Sequence, residues 1–128
     1  MIGLYWDDRF SVGNEKIDNE HRVFMDLVRD SSAAIDSHRG LEYVDRYLEE
    51  LKLYARFHFF SEETMMINSA YEDYESHRQE HLKLLESLDK IISEYKKDPN
   101  TGEALIEFIY EWFVLHIMTV DKKLVDHL

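Results

Sequence analysis

Seven histidine and carboxylate positions recur at helical steps along this chain: His21, the pair His58 and Glu62, the pair His77 and His81, and the pair His116 and Asp121. Imidazole nitrogens and carboxylate oxygens are ligands for transition-metal ions, and the chain has no cysteine to offer in their place. Taken singly, each pair says little. Polar residues four apart are common on solvated helix faces, and a lone histidine on an apolar face is more often a hydrogen-bonded core residue. Taken together, they occupy places where apolar seams should continue. The series Leu41, Val44, Leu48, Leu51 and Ala55 runs on to His58, Glu62 and Met65. The series from Tyr74 passes through His77 and His81 before Leu84, Leu88, Ile91 and Tyr95, while Leu105, Ile109 and Trp112 lead to His116. His21 stands one turn before Phe24 and Met25.

Burying an unpartnered polar group costs about 1–3 kcal/mol, and a domain is held together by only about 5–15 kcal/mol. Five imidazoles and two carboxylates in one core therefore need compensation, and metal ions supply it. Seven ligands exceed one tetrahedral zinc and suit two octahedral ions that share bridges. Only a carboxylate presents one oxygen to each ion, so Glu62 and Asp121 are the expected bridges and the histidines the terminal ligands.

The elements that must position these groups are four helical stretches. The first is expected from about Asp18 to Asp36, with Phe24, Leu27, Val28 and Ile35 on one face. The second runs from Leu41 towards Met66, and the third opens after Ser69-x-x-Glu72, read as a capping box. The fourth follows Asp98-Pro99-Asn100-Thr101-Gly102, the strongest breaker in the sequence. Short connections place successive helices antiparallel, so the expected fold is an all-α, up-down-up-down four-helix bundle. Residues 1–17, with Trp6, Phe10 and Val12, lack a helical period and are read as an arm laid along a bundle of residues 18–128, all in one domain. This topology brings the seven polar positions into one half of the bundle. His38 and His127 fall in a loop and at the chain end, as surface residues. His116 and Asp121 are five apart, about 140° on a regular helix, so a π-type bulge or local unwinding is expected between them.

Acidic residues outnumber basic ones 27 to 15, for a formal charge of −12. Such a surface repels phosphate backbones and anionic lipid, which argues against nucleic acid and membrane partners. The opening MIGLYWDDRF lacks the pattern of a secretory leader, and a cytoplasmic location is expected.

His21, His58-x-x-x-Glu62, His77-x-x-x-His81 and His116-x-x-x-x-Asp121 together resemble the seven-ligand signature of the hemerythrins. The words WDDRFSVGNEKIDNEH and HIMTVDKKL are similar to the bacterial branch, the bacteriohemerythrins, and the likeness spans nearly the whole chain. The resemblance implies two non-haem Fe ions, one held by His77, His81 and His116, the other by His21 and His58. Glu62, Asp121 and an oxo or hydroxo group would bridge them. It further implies reversible O2 binding at the two-histidine iron, for carriage, storage or delivery, with no catalytic residue and no enzyme activity. An oxygen-sensing domain of a larger signalling protein and a di-iron oxidase or peroxidase are the alternatives. Ferritin-like di-iron sites use more carboxylates and fewer histidines, and that difference favours binding over oxygen cleavage. Phe24, Tyr54, Trp112 and Met118 are candidate walls of the O2 pocket, with ordinary bundle core as the other reading of Tyr54 and Trp112. A delivery or signalling protein partner is not identified by the sequence.

Overall fold

The computed structural model describes residues 4–128, with Ile117 and Met118 described by their backbone alone. Four long helical segments follow one another: α1 (Glu15–Asp36), α2 (Leu41–Asn68), α3 (Tyr74–Lys97) and α4 (Gly102–His116). A π turn, Ile117–Asp121, continues α4 into a last helix, α5 (Lys122–His127). No strand occurs among the described residues, and none of their helices is long and apolar enough to cross a membrane. α1 packs on α2 and α4, and α3 packs on α2 and α4. That is the ring of an up-down-up-down bundle.

Helix boundaries follow local chemistry. α1 begins three residues before the expected Asp18, because Asn14 caps it by accepting a bond from the Ile17 N–H at 3.0 Å. Asp18 is instead a buried anchor. Its carboxylate accepts from the Ser11 hydroxyl at 2.6 Å and the Val12 N–H at 2.9 Å, tying the arm to α1. The arm carries a short 3₁₀ turn, Asp8–Phe10, and buries Phe10 and Val12. The expected capping box does not form. Ser69 terminates α2, its hydroxyl donating to the Met66 carbonyl, while Asp73 occupies the position before α3. Gly40 precedes α2 at φ 102°, a conformation that favours glycine.

The hydrophobic half of the bundle is built by Val28, Val44, Leu48, Leu51, Leu88, Ile92, Leu105 and Ile109, all buried. Several expected seam residues lie at the margin of the core, Leu27, Ile35, Met65, Leu84 and Trp112 among them as half-buried. Leu41 is exposed at the entry to α2, and Tyr74 and Ile91 are half-buried, with Ile92 taking the interior place in α3. The reason for the last is phase: the step of four from Leu88 continues the buried face that His77 and His81 begin. Near the α3–α4 connection, a Cβ on Gly102 would lie 2.8 Å from Ile35 Cγ2, so the close approach of α4 to α1 there requires glycine.

Candidate metal centre

The opposite half of the bundle is polar inside. His21 comes from α1, His58 and Glu62 from α2, His77 and His81 from α3, His116 from the end of α4 and Asp121 from the end of the π turn. All seven are buried, and Glu62 and Asp121 are wholly inaccessible. The π turn lies where His116 and Asp121 must face one point. Its wider winding inserts the residue that a regular helix would have needed to rotate Asp121 inward.

Their ligating atoms form two groups, each with all atoms within 4.8 Å of one another: Glu62, His77, His81, His116 and Asp121 in one, and His21, His58, Glu62 and Asp121 in the other. The two carboxylates belong to both. Glu62 Oε1 is 2.9 Å from His81 Nε2 and 3.5 Å from His77 Nε2, whereas its Oε2 faces His58 Nε2 at 3.4 Å. Asp121 Oδ1 is 2.8 Å from His116 Nε2, and its Oδ2 is 2.9 Å from His21 Nε2. Despite these separations, neither oxygen of Glu62 or Asp121 has an aligned hydrogen-bond partner, and neither do the Nε2 atoms of His77, His81 and His116. Buried polar groups are nearly always bonded. Atoms this close that do not point at one another converge on points between them, as donors to shared cations do. The donor set of imidazoles and carboxylates suits iron.

Two carboxylates support the rings from behind. Glu20 Oε1 accepts from His58 Nδ1 at 2.8 Å, its Oε2 accepts from the Ser61 hydroxyl at 2.9 Å, and Tyr54 donates to the Glu20 carbonyl at 2.8 Å. Glu63 Oε2 accepts from His81 Nδ1 at 2.8 Å. A proton held on Nδ1 leaves Nε2 with its lone pair directed inward, the tautomer a metal ligand needs. Neither residue is evident from the apolar periodicity. The available signal is adjacency, since each stands next to a ligand position, Glu20 before His21 and Glu63 after Glu62.

Without cations the cluster holds protons instead. Burial disfavours charge on His58, but Glu62 and Glu20 outweigh it and push the ring up to about 10. His116 behaves likewise, burial being overcome by Asp121 and Glu62, and also reaches about 10. Burial raises the Glu62 carboxyl, yet His58, His116 and His77 together hold it well below the usual carboxylate range. Asp121 is lowered too, because His116 and His21 prevail over burial and over the Glu62 charge.

Aromatic rings wall the site. Phe24 is buried and stacks on Phe113 at 4.6 Å, and Phe113 stands edge-on to His21 at 5.5 Å. Trp112, half-buried, stacks on Phe24 at 5.8 Å, and Tyr54 lies 6.4 Å from the same ring. Phe59 lies flat on His81, with centroids 4.0 Å apart. Phe24, Tyr54 and Trp112 are thus grouped near the two-histidine side, joined by Phe113, which the sequence reading did not single out. The Met118 side chain lies outside the described residues. His38 is exposed in its loop, and His127 reaches the Ser69 carbonyl at 3.0 Å.

The profile of the hemerythrin HHE cation binding domain matches residues 12–128. A bacteriohemerythrin of Clostridium acetobutylicum is 32% identical, covering 94% of this chain and 98% of its own. A myohemerythrin of Theromyzon tessulatum is 33% identical over 92% of this chain and 88% of its own. A solved structure of a leucine-to-phenylalanine mutant superposes with a TM-score of 0.80 at 27% identity, covering 95% of this chain and 94% of that one.

Proposed function

We propose, from the premise that this chain belongs to the hemerythrin family, that it binds O2 reversibly at a pair of non-haem irons. The observation that carries the reading is the split orientation of Glu62 and Asp121, each turning one oxygen to a three-histidine group and the other to a two-histidine group. In this reading His77, His81 and His116 hold one iron, His21 and His58 hold the other, and Glu62 and Asp121 bridge them. Ferrous ions held by these residues would supply two electrons to O2, and the His21 and His58 side offers one histidine fewer than the other.

The chain's own residues set the conditions for reversibility. Glu20 and Glu63 hold protons at Nδ1 of His58 and His81, keeping both rings in the ligating tautomer and fixing their planes. Phe24, Phe113, Phe59 and Trp112 surround the histidines with apolar surface, which excludes water that would displace a bound ligand. Only two ligands are anionic, which disfavours the higher oxidation states that oxygen cleavage demands. The protein is accordingly a binding protein rather than an oxidase.

The test is stopped-flow absorbance with an oxygen electrode on reduced, iron-loaded protein. A visible band should appear on oxygenation, vanish when O2 is removed, and return over repeated cycles. Irreversible consumption of each O2, with sustained turnover of an added reductant, would replace this reading with an oxidase.

A further inference from the structure

The outer face of α2, opposite the core, carries an apolar stripe that the site does not use. Leu53, Phe57, Phe60 and Ile67 are 60%, 57%, 72% and 63% exposed, and Thr64 completes alternating steps of four and three. This is the spacing of a helix–helix seam, and it runs for about 21 Å along the helix. At these exposures the four side chains present on the order of 500 Å² of surface, at the upper end of patches carried by monomers. Two copies together would supply on the order of 1,000 Å², the threshold for a specific interface.

We infer that a second copy of this chain docks here, α2 against α2, antiparallel about a two-fold axis. The flanking charges choose the orientation. Arg56 and Glu63 lie along the same edge of the stripe, on the side of α3, where Arg56 lies near Asp89 and Glu63 meets His81. Antiparallel pairing that sets Phe57 of one copy against Phe60 of its partner also sets Arg56 against Glu63, twice by symmetry. Leu53 then meets Thr64, and the four central rings form one aromatic cluster. In this register Glu50 meets the end of the stripe at Ile67 and Glu49 meets Asn68, the last residue of the partner's α2, while Glu42 lies beyond that helix end. Parallel pairing would instead align each acidic residue with its own copy and leave Arg56 facing the neutral edge of Tyr54, Ser61 and Asn68. Glu63 uses Oε2 for His81, leaving Oε1 for the partner's arginine.

Sedimentation velocity on the metal-loaded full chain, at physiological ionic strength and up to high micromolar concentration, should show a concentration-dependent dimer. Phe60→Glu should weaken it at least about 30-fold, the effect of losing a hot-spot residue of 2 kcal/mol, and Arg56→Glu should weaken it as well. Metal content and helicity should be unchanged in both, since neither side chain reaches the core. Orientation is read by cross-linking, for which the absence of native cysteine is convenient. In a glutathione redox buffer, Leu53→Cys mixed with Thr64→Cys should give a covalent dimer, while either variant alone should not. Wild-type protein that stays monomeric throughout, or a dimer indifferent to Phe60→Glu, overturns the inference. Self-cross-linking of Leu53→Cys alone overturns the antiparallel arrangement.

Discussion

Glu20 Oε1 lies 2.8 Å from His58 Nδ1, so the carboxylate that holds this imidazole comes from the residue preceding His21, the other histidine on the same side of the site. One turn of α1 thus supplies both a ring and the support for the ring opposite it. Glu20→Gln keeps the shape but removes the charge, and it should lower metal affinity at the two-histidine side by about 10–100-fold. Glu63→Gln should do the same on the three-histidine side. Metal titration separates the two. Equal affinities in both variants and the wild type would remove the supporting role.

Iron content gives the second prediction. Purified protein should hold two irons per chain. His77→Ala should lose at least one, and Glu62→Ala, which removes a member of both groups, should lose both. Glu62→Ala also leaves the buried cationic rings with one counter-charge fewer, Asp121 and Glu20 remaining, so the metal-free variant should be less stable than the metal-free parent by about 3 kcal/mol. Atomic absorption and urea unfolding measure the two effects. Full iron content in Glu62→Ala would contradict the bridging assignment.

How much of this site is visible in sequence follows from helix geometry. Periodicity places His58, Glu62, His77, His81 and His116 on buried faces, because steps of three and four are what a regular helix repeats. It also anticipates the break between His116 and Asp121, since five residues cannot share a face. It cannot reveal Glu20, Glu63, Phe59 or Phe113, whose roles depend on which neighbouring helix each side chain meets. Periodicity misplaces Ile91 for a related reason. A shift of one residue costs a pattern nothing, and it is the packed neighbour that decides.

The metal-free protein should show a distinctive pH profile. His58 and His116, at about 10 in the fold against an ordinary 6.5, contribute stability that is fully present below pH 6.5 and is lost as pH rises through 10. Glu62 and Asp121 are lowered from 4.5 and 3.8. Their contribution is present above those values and fades as pH falls through the lowered ones. Chelator-treated protein should therefore be most stable between pH 4.5 and 6.5 and weaken steadily into the alkaline range. Loading metal at neutral pH should release protons, because the rings must give them up to ligate. An unfolding midpoint that climbs from pH 6.5 to 10, or loading without proton release, would refute this.

Gly102→Ala sets two effects against each other. Alanine raises helix propensity by at most about 1 kcal/mol, and by less at Gly102, the first residue of α4, while its methyl would meet Ile35 Cγ2 at 2.8 Å and Tyr95 Cε1 at 3.2 Å. Overpacking of this kind costs about 1–3 kcal/mol. The net result should be a less stable protein with unchanged metal content, measured by denaturant midpoint. A gain in stability would show that α4 can shift away from α1 without loss.

The π turn at Ile117–Asp121 also stores slack. It contains one residue more than a straight helix needs, and taking that residue up would turn everything beyond it by about 100° and advance it by about 1.5 Å. α5 beyond it is a short rod fixed at both ends, by Asp121 in the cluster and by His127 against the Ser69 carbonyl. The same short helix thus ties the buried cluster to the corner where α2 ends.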